Sequence, residues 1–181
     1  MKKNIFLIRH CQAEGQEADA PLTEKGYNQA IELSSFLNNI TVDQIISSPY
    51  LRARQSIEPF AKVRELEIQA DKRLSERILS ANYLPDWLYK LKETFYDMNL
   101  KLEGGEASSE AQARIVNVIE EVLVSDIENT IIVTHGNIMS LLLKHYQDDF
   151  GFEQWKSLSN PDVFLLQFAN DEYTIHRIWK D

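Results

Sequence analysis

Apolar positions recur along the chain with two periods in alternation. Asn4 to Arg9 is a continuous apolar run with β-branched content, the pattern of a strand buried on both faces. Thr23 then stands before a stretch that places Tyr27, Ala30, Ile31, Ser34 and Leu37 on one face of a helix capped by Thr23. Val42 to Ser47 returns to strand character. Ser48-Pro49 supplies the cap and first turn for a helix that holds Tyr50 to Phe60.

The second half repeats the theme. Glu67 to Ala70 predicts a short strand and Pro85 to Met98 a helix, before Glu103-Gly-Gly-Glu106 interrupts the pattern. A long amphipathic helix follows, with Ile115, Val118, Ile119, Val122 and Leu123 on one face and Ser109 and Gln112 at capping-box spacing near its start. Asn129 to Thr134 reads as a strand and Gly136 to Tyr146 as the helix after it. Val163 to Phe168 and Tyr173 to Ile178, separated by Ala169 to Glu172, predict a terminal hairpin.

Alternating strands and helices imply an α/β fold, a three-layer α/β/α sandwich around a mainly parallel sheet. Its ligand site is expected beyond the carboxyl ends of the strands. No repeat, low-complexity tract or Gly/Ser linker divides the sequence, so residues 1–181 read as a single domain. The 28 acidic and 19 basic side chains, a net charge of -9, argue against a nucleic-acid surface. An anionic ligand would therefore have to meet locally placed cations. The one cysteine, Cys11, has no partner for an internal disulfide, and the run Ile5 to Ile8 is too short for a signal peptide. No stretch reaches the roughly 20 apolar residues that span a bilayer, and a cytoplasmic location with no membrane partner is the expectation.

The chemistry gathers at strand ends. Arg9, His10 and Cys11 leave the first strand, His135 and Gly136 leave the Asn129–Thr134 strand, and Arg52 lies in the first turn after Val42 to Ser47. That turn also offers backbone N–H groups and a favourable helix dipole to an anion. Two guanidiniums with imidazoles at one rim suit a phosphoryl group. A neutral His10 could attack phosphorus while Arg9, Arg52 and His135 hold the equatorial oxygens. Glu76 is the candidate proton donor, with Glu14, Glu24 and Glu106 as rivals that spacing alone does not eliminate. Arg54 reads equally as a surface residue or a substrate contact. Tyr83, Trp87, Tyr89, Phe95 and Tyr96 are candidates for core packing or for the wall of a substrate entrance.

Other chemistries lack their motifs. There is no Gly-x4-Gly-Lys loop, no Gly-x-Ser-x-Gly elbow and no His-Glu-x-x-His pair, and His135 and His145 are too far apart to stack on adjacent helical turns. Neither metal nor cofactor is called for. A Cys-x5-Arg phosphatase loop on Cys11 would need arginine where Glu17 stands, which leaves that thiol a packing role or, if exposed, a site of oxidation. His145 and His176 have no motif partners.

Taken in order, Arg9-His10-Cys11, Pro21-Leu-Thr-Glu-Lys-Gly26, Ser47-Ser-Pro-Tyr-Leu-Arg-Ala53, Leu74-Ser-Glu76, Gly104-Gly-Glu106 and Thr134-His-Gly136 resemble the histidine phosphatase superfamily, with its phosphoglycerate mutase-like fold. The resemblance implies His10 as a phosphorylated nucleophile, a phosphate pocket of Arg9, His10, Arg52, His135 and Gly136, and Glu76 as proton donor. Its compact length is similar to the phosphatase branch, acting without metal on a small phosphorylated substrate or on a phosphoprotein. Mutase-type transfer, protein phosphohistidine hydrolysis and a non-catalytic phosphate-binding module are the alternatives. The chain departs from the family pattern at Cys11, where the signature has glycine, after Glu76, where a Gly-x-Trp-Glu-Gly-like stretch is missing, and at Ala107, where the pattern has serine.

Overall fold

The apolar runs form the middle of a mixed sheet. A computed structural model describes residues 2–170 and 172–179. In it β1 (Lys3–Arg9) runs parallel to β4 (Asn129–Thr134) on one side and antiparallel to β5 (Asp162–Ala169) on the other. β2 (Gln44–Ser47) lies beside β4 and β3 (Ile68–Ala70) beside β2, both parallel, while β6 (Glu172–Arg177) pairs antiparallel with β5. Among the described residues the order is β3-β2-β4-β1-β5-β6. The register sets Arg9 opposite Thr134 and Ser47 opposite Val133, so β1, β2 and β4 end level with one another.

Alternation along β1 divides the core. Ile5 and Leu7 pack with α4 (Ser108–Val124) and α5 (Gly136–Tyr146), whereas Phe6 and Ile8 pack with α1 (Glu24–Leu37) and α2 (Leu51–Arg64). Each fully buried Leu or Ile contributes about 1.5–3 kcal/mol, so two such layers carry the fold. This is the three-layer α/β/α arrangement that the alternating pattern implies. Two shorter helices, α3 (Trp87–Tyr96) and α6 (Phe152–Lys156), pack together at one end through Phe95, Phe152 and Leu91.

Several local expectations shift. The buried face of α1 is Gly26, Ala30, Leu33 and Leu37, while Tyr27 and Ile31 are exposed. Gly26 sits so tightly on the Gln12 carbonyl that a Cβ there would collide with it, and this contact sets the rotation of the helix against its hydrophobic count. As the span Tyr50 to Phe60 requires, α2 runs through Pro59; Ile57, Phe60 and Ala61 are buried against the sheet, and that burial outweighs the roughly 3 kcal/mol cost of an interior proline. The helix stops at Glu65, which adopts φ 54. Ser109 and Gln112 do not cap α4; the carboxylate of Glu110 accepts the Ala107 N–H at 2.8 Å instead. The hairpin strands run one residue longer at each end of β5 and end at Arg177 in β6, and α6 lies in a stretch where the sequence pattern predicts no element.

Candidate active site

His10 leaves β1 with its backbone tied on both sides. Its N–H donates to the Thr134 carbonyl at 3.0 Å, and its carbonyl accepts Asn160 Nδ2 at 2.7 Å. The ring Nδ1 lies 2.6 Å from the Cys11 carbonyl, an acceptor only, so Nδ1 carries the proton and Nε2 the lone pair. Burial pushes the imidazole down to about 3, helped by the Arg52 and Arg9 charges and opposed by the Cys11 carbonyl. His10 is neutral at physiological pH.

Arg52 extends from the first turn of α2. Its Nε points at His10 Nε2 at 3.3 Å, and Nη1 donates to the carbonyls of Gln16 at 3.1 Å and Glu17 at 2.7 Å. Arg9 donates Nη1 to the Leu158 and Ser159 carbonyls at 3.0 and 3.3 Å. Burial lowers both guanidiniums from their usual range, and the charge of Glu76 opposes that shift in each, which places this carboxylate beside both. His135 follows β4, its ring 5.1 Å from that of His10, with Nε2 on Ser48 Oγ at 2.7 Å. Burial, with the charges of the nearby arginines adding in the same direction, holds it well below the ordinary histidine range.

Part of each helix N-terminus is already engaged by the protein. The Leu51 N–H at the start of α2 donates to the Ala18 carbonyl at 2.9 Å. At the start of α5, Glu76 accepts Asn137 N–H and Ile138 N–H, each at 3.0 Å, and also its neighbour Arg77 N–H at 2.9 Å. The candidate acid is therefore a carboxylate cap. The side-chain donors are different: Arg9 Nε, Arg52 Nη2, His135 Nδ1 and the amide of Asn137 are buried with no protein partner. A buried unpaired donor costs about 1–3 kcal/mol, so such a cluster is unfavourable for packing and favourable for an anionic acceptor.

The site opens into a cavity of about 820 Å³, with Arg9, Tyr50, Glu76, Gly136 and Asn137 at its inner end. A Cβ on Gly136 would stand 3.0 Å from Arg9 Nε, so the glycine lets the guanidinium lie against the start of α5. Outward, the wall is the segment after Glu76. It is pinned by Glu106 N–H on the Ile78 carbonyl at 2.8 Å and Ala81 N–H on the Glu103 carbonyl at 3.0 Å. Gly104, at φ 64, and Gly105 leave room for that segment, where Cβ atoms would meet Ala81 and the Leu79 carbonyl.

The structure thus brings Arg9, His10, Arg52, Glu76, His135 and Gly136 to one rim. Of the rival carboxylates, Glu106 is engaged by Arg114 at 2.7 and 2.9 Å, and Glu14 and Glu24 are exposed and do not line the cavity. Arg54 is exposed and also outside the lining. Tyr83 and Trp87 line the wall, Phe95 is core, and Tyr89 and Tyr96 face solvent. Cys11 is fully buried, its thiol pushed up to about 12 by burial. Ser48, Tyr50 and Asn160 are contacts that side-chain chemistry alone does not single out. Ser48 and Tyr50 fall inside the Ser47-Ser-Pro-Tyr-Leu-Arg stretch, Tyr50 with its ring 4.9 Å from both His135 and the Arg52 guanidinium. Among the described residues no helix is long and apolar enough to cross a membrane.

Comparison with known proteins places these features in a family. The chain is 27% identical over 157 residues to "Putative phosphoserine phosphatase 2" of Hydrogenobacter thermophilus, covering 78% of this chain and 77% of the relative. It is 26% identical to the adenosylcobalamin/alpha-ribazole phosphatase of Salmonella typhimurium over 77% of each chain. The solved mycobacterial glucosyl-3-phosphoglycerate phosphatase shares the fold at TM-score 0.80 with 19% identity, over 98% of both chains. The family model described as histidine phosphatase superfamily (branch 1) matches residues 5–181. The rim of buried histidines and arginines at the strand ends therefore belongs to a member of the histidine phosphatase superfamily, branch 1.

Proposed function

We propose that this chain is a phosphomonoester hydrolase that works through a phosphohistidine on His10, without a metal. The observation that carries the reading is the His10 ring: neutral, its Nδ1–H fixed on the Cys11 carbonyl at 2.6 Å, and its Nε2 beside the Arg52 guanidinium. A fixed tautomer gives the lone pair one direction of attack. The unpaired N–H groups of Arg9 and Arg52 are donors available to a phosphoryl group beside His10. In the tautomer whose Nε2 accepts the Ser48 hydroxyl, His135 carries its proton on Nδ1 and adds a further donor.

The chemistry runs in two displacements. His10 Nε2 forms a bond to phosphorus as the ester P–O bond breaks, and the fixed cations balance charge spread over the equatorial oxygens. The leaving oxygen takes a proton from Glu76. Glu76, ionised again, accepts a proton from water as the water oxygen bonds to phosphorus and the P–N bond breaks. Inorganic phosphate leaves and both groups return to their starting states. The relatives named for phosphoserine and alpha-ribazole support a small phosphorylated substrate.

The experiment is release of inorganic phosphate from a panel of phosphomonoesters in the presence of chelator, for the native protein and His10→Ala. Release that survives chelation and disappears in the variant is expected. Turnover retained by a folded His10→Ala protein would overturn the mechanism.

A further inference from the structure

The outer half of the cavity has a chemistry that phosphate binding does not use. Beyond Glu76 and Arg77 the apolar part of its wall is Leu79, Tyr83, Leu84, Trp87, Leu91 and Trp155, interrupted by the neutral polar Ser80 and Asn82; no lining residue between 78 and 91 is charged among the described residues, and Glu17 is a further lining carboxylate. The two indoles meet edge to face, with ring centroids 6.4 Å apart at 86°. Trp155 is braced from behind by Phe152, stacked at 5.4 Å, and Phe152 in turn by Phe95. Trp87 is 50% exposed and Tyr83 89% exposed, so apolar surface stands in water at the mouth of a cavity that holds more than a phosphate. A volume of about 820 Å³ lies within the range of drug-sized ligands.

We infer that the alcohol part of the substrate is bulky and apolar, with an aromatic or extended hydrocarbon face that packs on Trp87 and Trp155. This inference rests on the phosphate pocket proposed above and names the class of ester it serves. A second phosphate or a carboxylate on the leaving group would lie against an uncharged wall and lose hydration without repayment. The lining cation adjacent in sequence to that wall is Arg77, which is buried, with Nε on the Glu106 carbonyl at 2.9 Å and Nη1 on Thr94 Oγ1 at 2.8 Å. Those bonds turn its guanidinium toward α3 and the segment before α4. Its Nη2 has no protein partner, which makes a carboxylate-bearing ligand the competitor that the test must include.

The test measures binding without turnover, by calorimetry, using two phosphonates with the same anionic head: 2-phenylethylphosphonate and 3-phosphonopropionate. The phenylethyl ligand is expected to bind about tenfold more tightly. Trp87→Ala is expected to remove most of that preference while leaving 3-phosphonopropionate within about twofold. Tyr83→Ser, on an exposed segment outside regular structure, tests the same wall should Trp87→Ala fail to fold, and is expected to weaken only the phenylethyl ligand. Equal or tighter binding of the carboxylate ligand would overturn the inference, as would a uniform loss for both ligands in both variants. Turnover then separates the two claims. Hydrolysis of 2-phenylethyl phosphate ahead of 3-phosphoglycerate, both alkyl esters, supports the inference at the level of catalysis. Phenylethyl preference in binding with no hydrolysis of any ester overturns the hydrolase reading and leaves the inference standing.

Discussion

Replacing Glu76 by glutamine separates two roles that one carboxylate combines. Its oxygens accept three backbone N–H groups, with Oε2 on Asn137 and Oε1 on both Ile138 and Arg77. A glutamine keeps one oxygen, which can retain Ile138 and Arg77, and presents an NH₂ group to the Asn137 N–H. That places donor against donor at the start of α5, and an unpaired partly buried N–H costs about 1–3 kcal/mol. Loss of the negative charge at the helix N-terminus adds about 0.3–1 kcal/mol. The expected destabilisation is thus about 1–4 kcal/mol, or roughly 3–16 °C in Tm for a chain of this size. Circular dichroism melting of the native protein and Glu76→Gln measures it. Activity should be read well below the variant's Tm. There, kcat/KM on alkyl phosphates is expected to fall by about 10² to 10⁴, and by much less on nitrophenyl phosphate, whose leaving group needs little protonation. An unchanged Tm would refute the capping geometry. Equal losses on both substrate types would refute the proton-donor role while leaving the cap intact.

Acid should unfold the protein through its buried imidazoles. His10, at about 3 when folded and near 6.5 when unfolded, stabilises the fold above the unfolded value, and that stability drains as pH falls through the window between them. His135 is shifted in the same direction, so urea unfolding should show about 1.4 kcal/mol lost per histidine between roughly pH 7.5 and 5.5, and His10→Gln should remove about half of the fall. Gly136→Ala brings a methyl group to within about 3 Å of an Arg9 guanidinium already anchored on the Leu158 and Ser159 carbonyls. An activity loss of about tenfold or more is expected, with Tm lowered by only a few degrees, and steady-state kinetics beside a melting curve checks both. Cys11, fully buried with its thiol pushed up to about 12, should resist a thiol-specific chromogenic reagent in the native protein and react once guanidinium unfolds it. Rapid reaction in the native state would show that the core around Cys11 opens.

The parts of the fold that the sequence foretells are those fixed by local pattern. β1 and β4 are continuous apolar runs flanked by helices, and residues at their ends must share a rim because parallel strands put their carboxyl ends together. That logic brings Arg9, His10, His135 and Gly136 to one place before any coordinate is known. What local pattern misses is set by contacts distant in the chain. The rotation of α1 follows from Gly26 on Gln12. The bonds that position the machinery come from Asn160 and the Leu158-Ser159 carbonyls, about 150 residues from Arg9 and His10 and in a turn with no chemical signature of its own. The Gly104-Gly105-Glu106 stretch resembles site chemistry in sequence, yet its glycines accommodate the cavity wall and its glutamate is paired with Arg114. The capping role of Glu76 is invisible for the same reason: its three partners are main-chain groups, which carry no side-chain identity.

The most direct test of a phosphohistidine on His10 is to trap it. The native protein is mixed briefly with nitrophenyl phosphate, quenched under alkaline denaturing conditions that preserve phosphohistidine, digested and weighed by mass spectrometry. A phosphoryl adduct on the peptide containing His10, absent from His10→Ala and rising in Glu76→Gln if water activation is slowed, is the expected result. Turnover by the native protein with no adduct at His10, or an adduct on another residue that survives in His10→Ala, would contradict it.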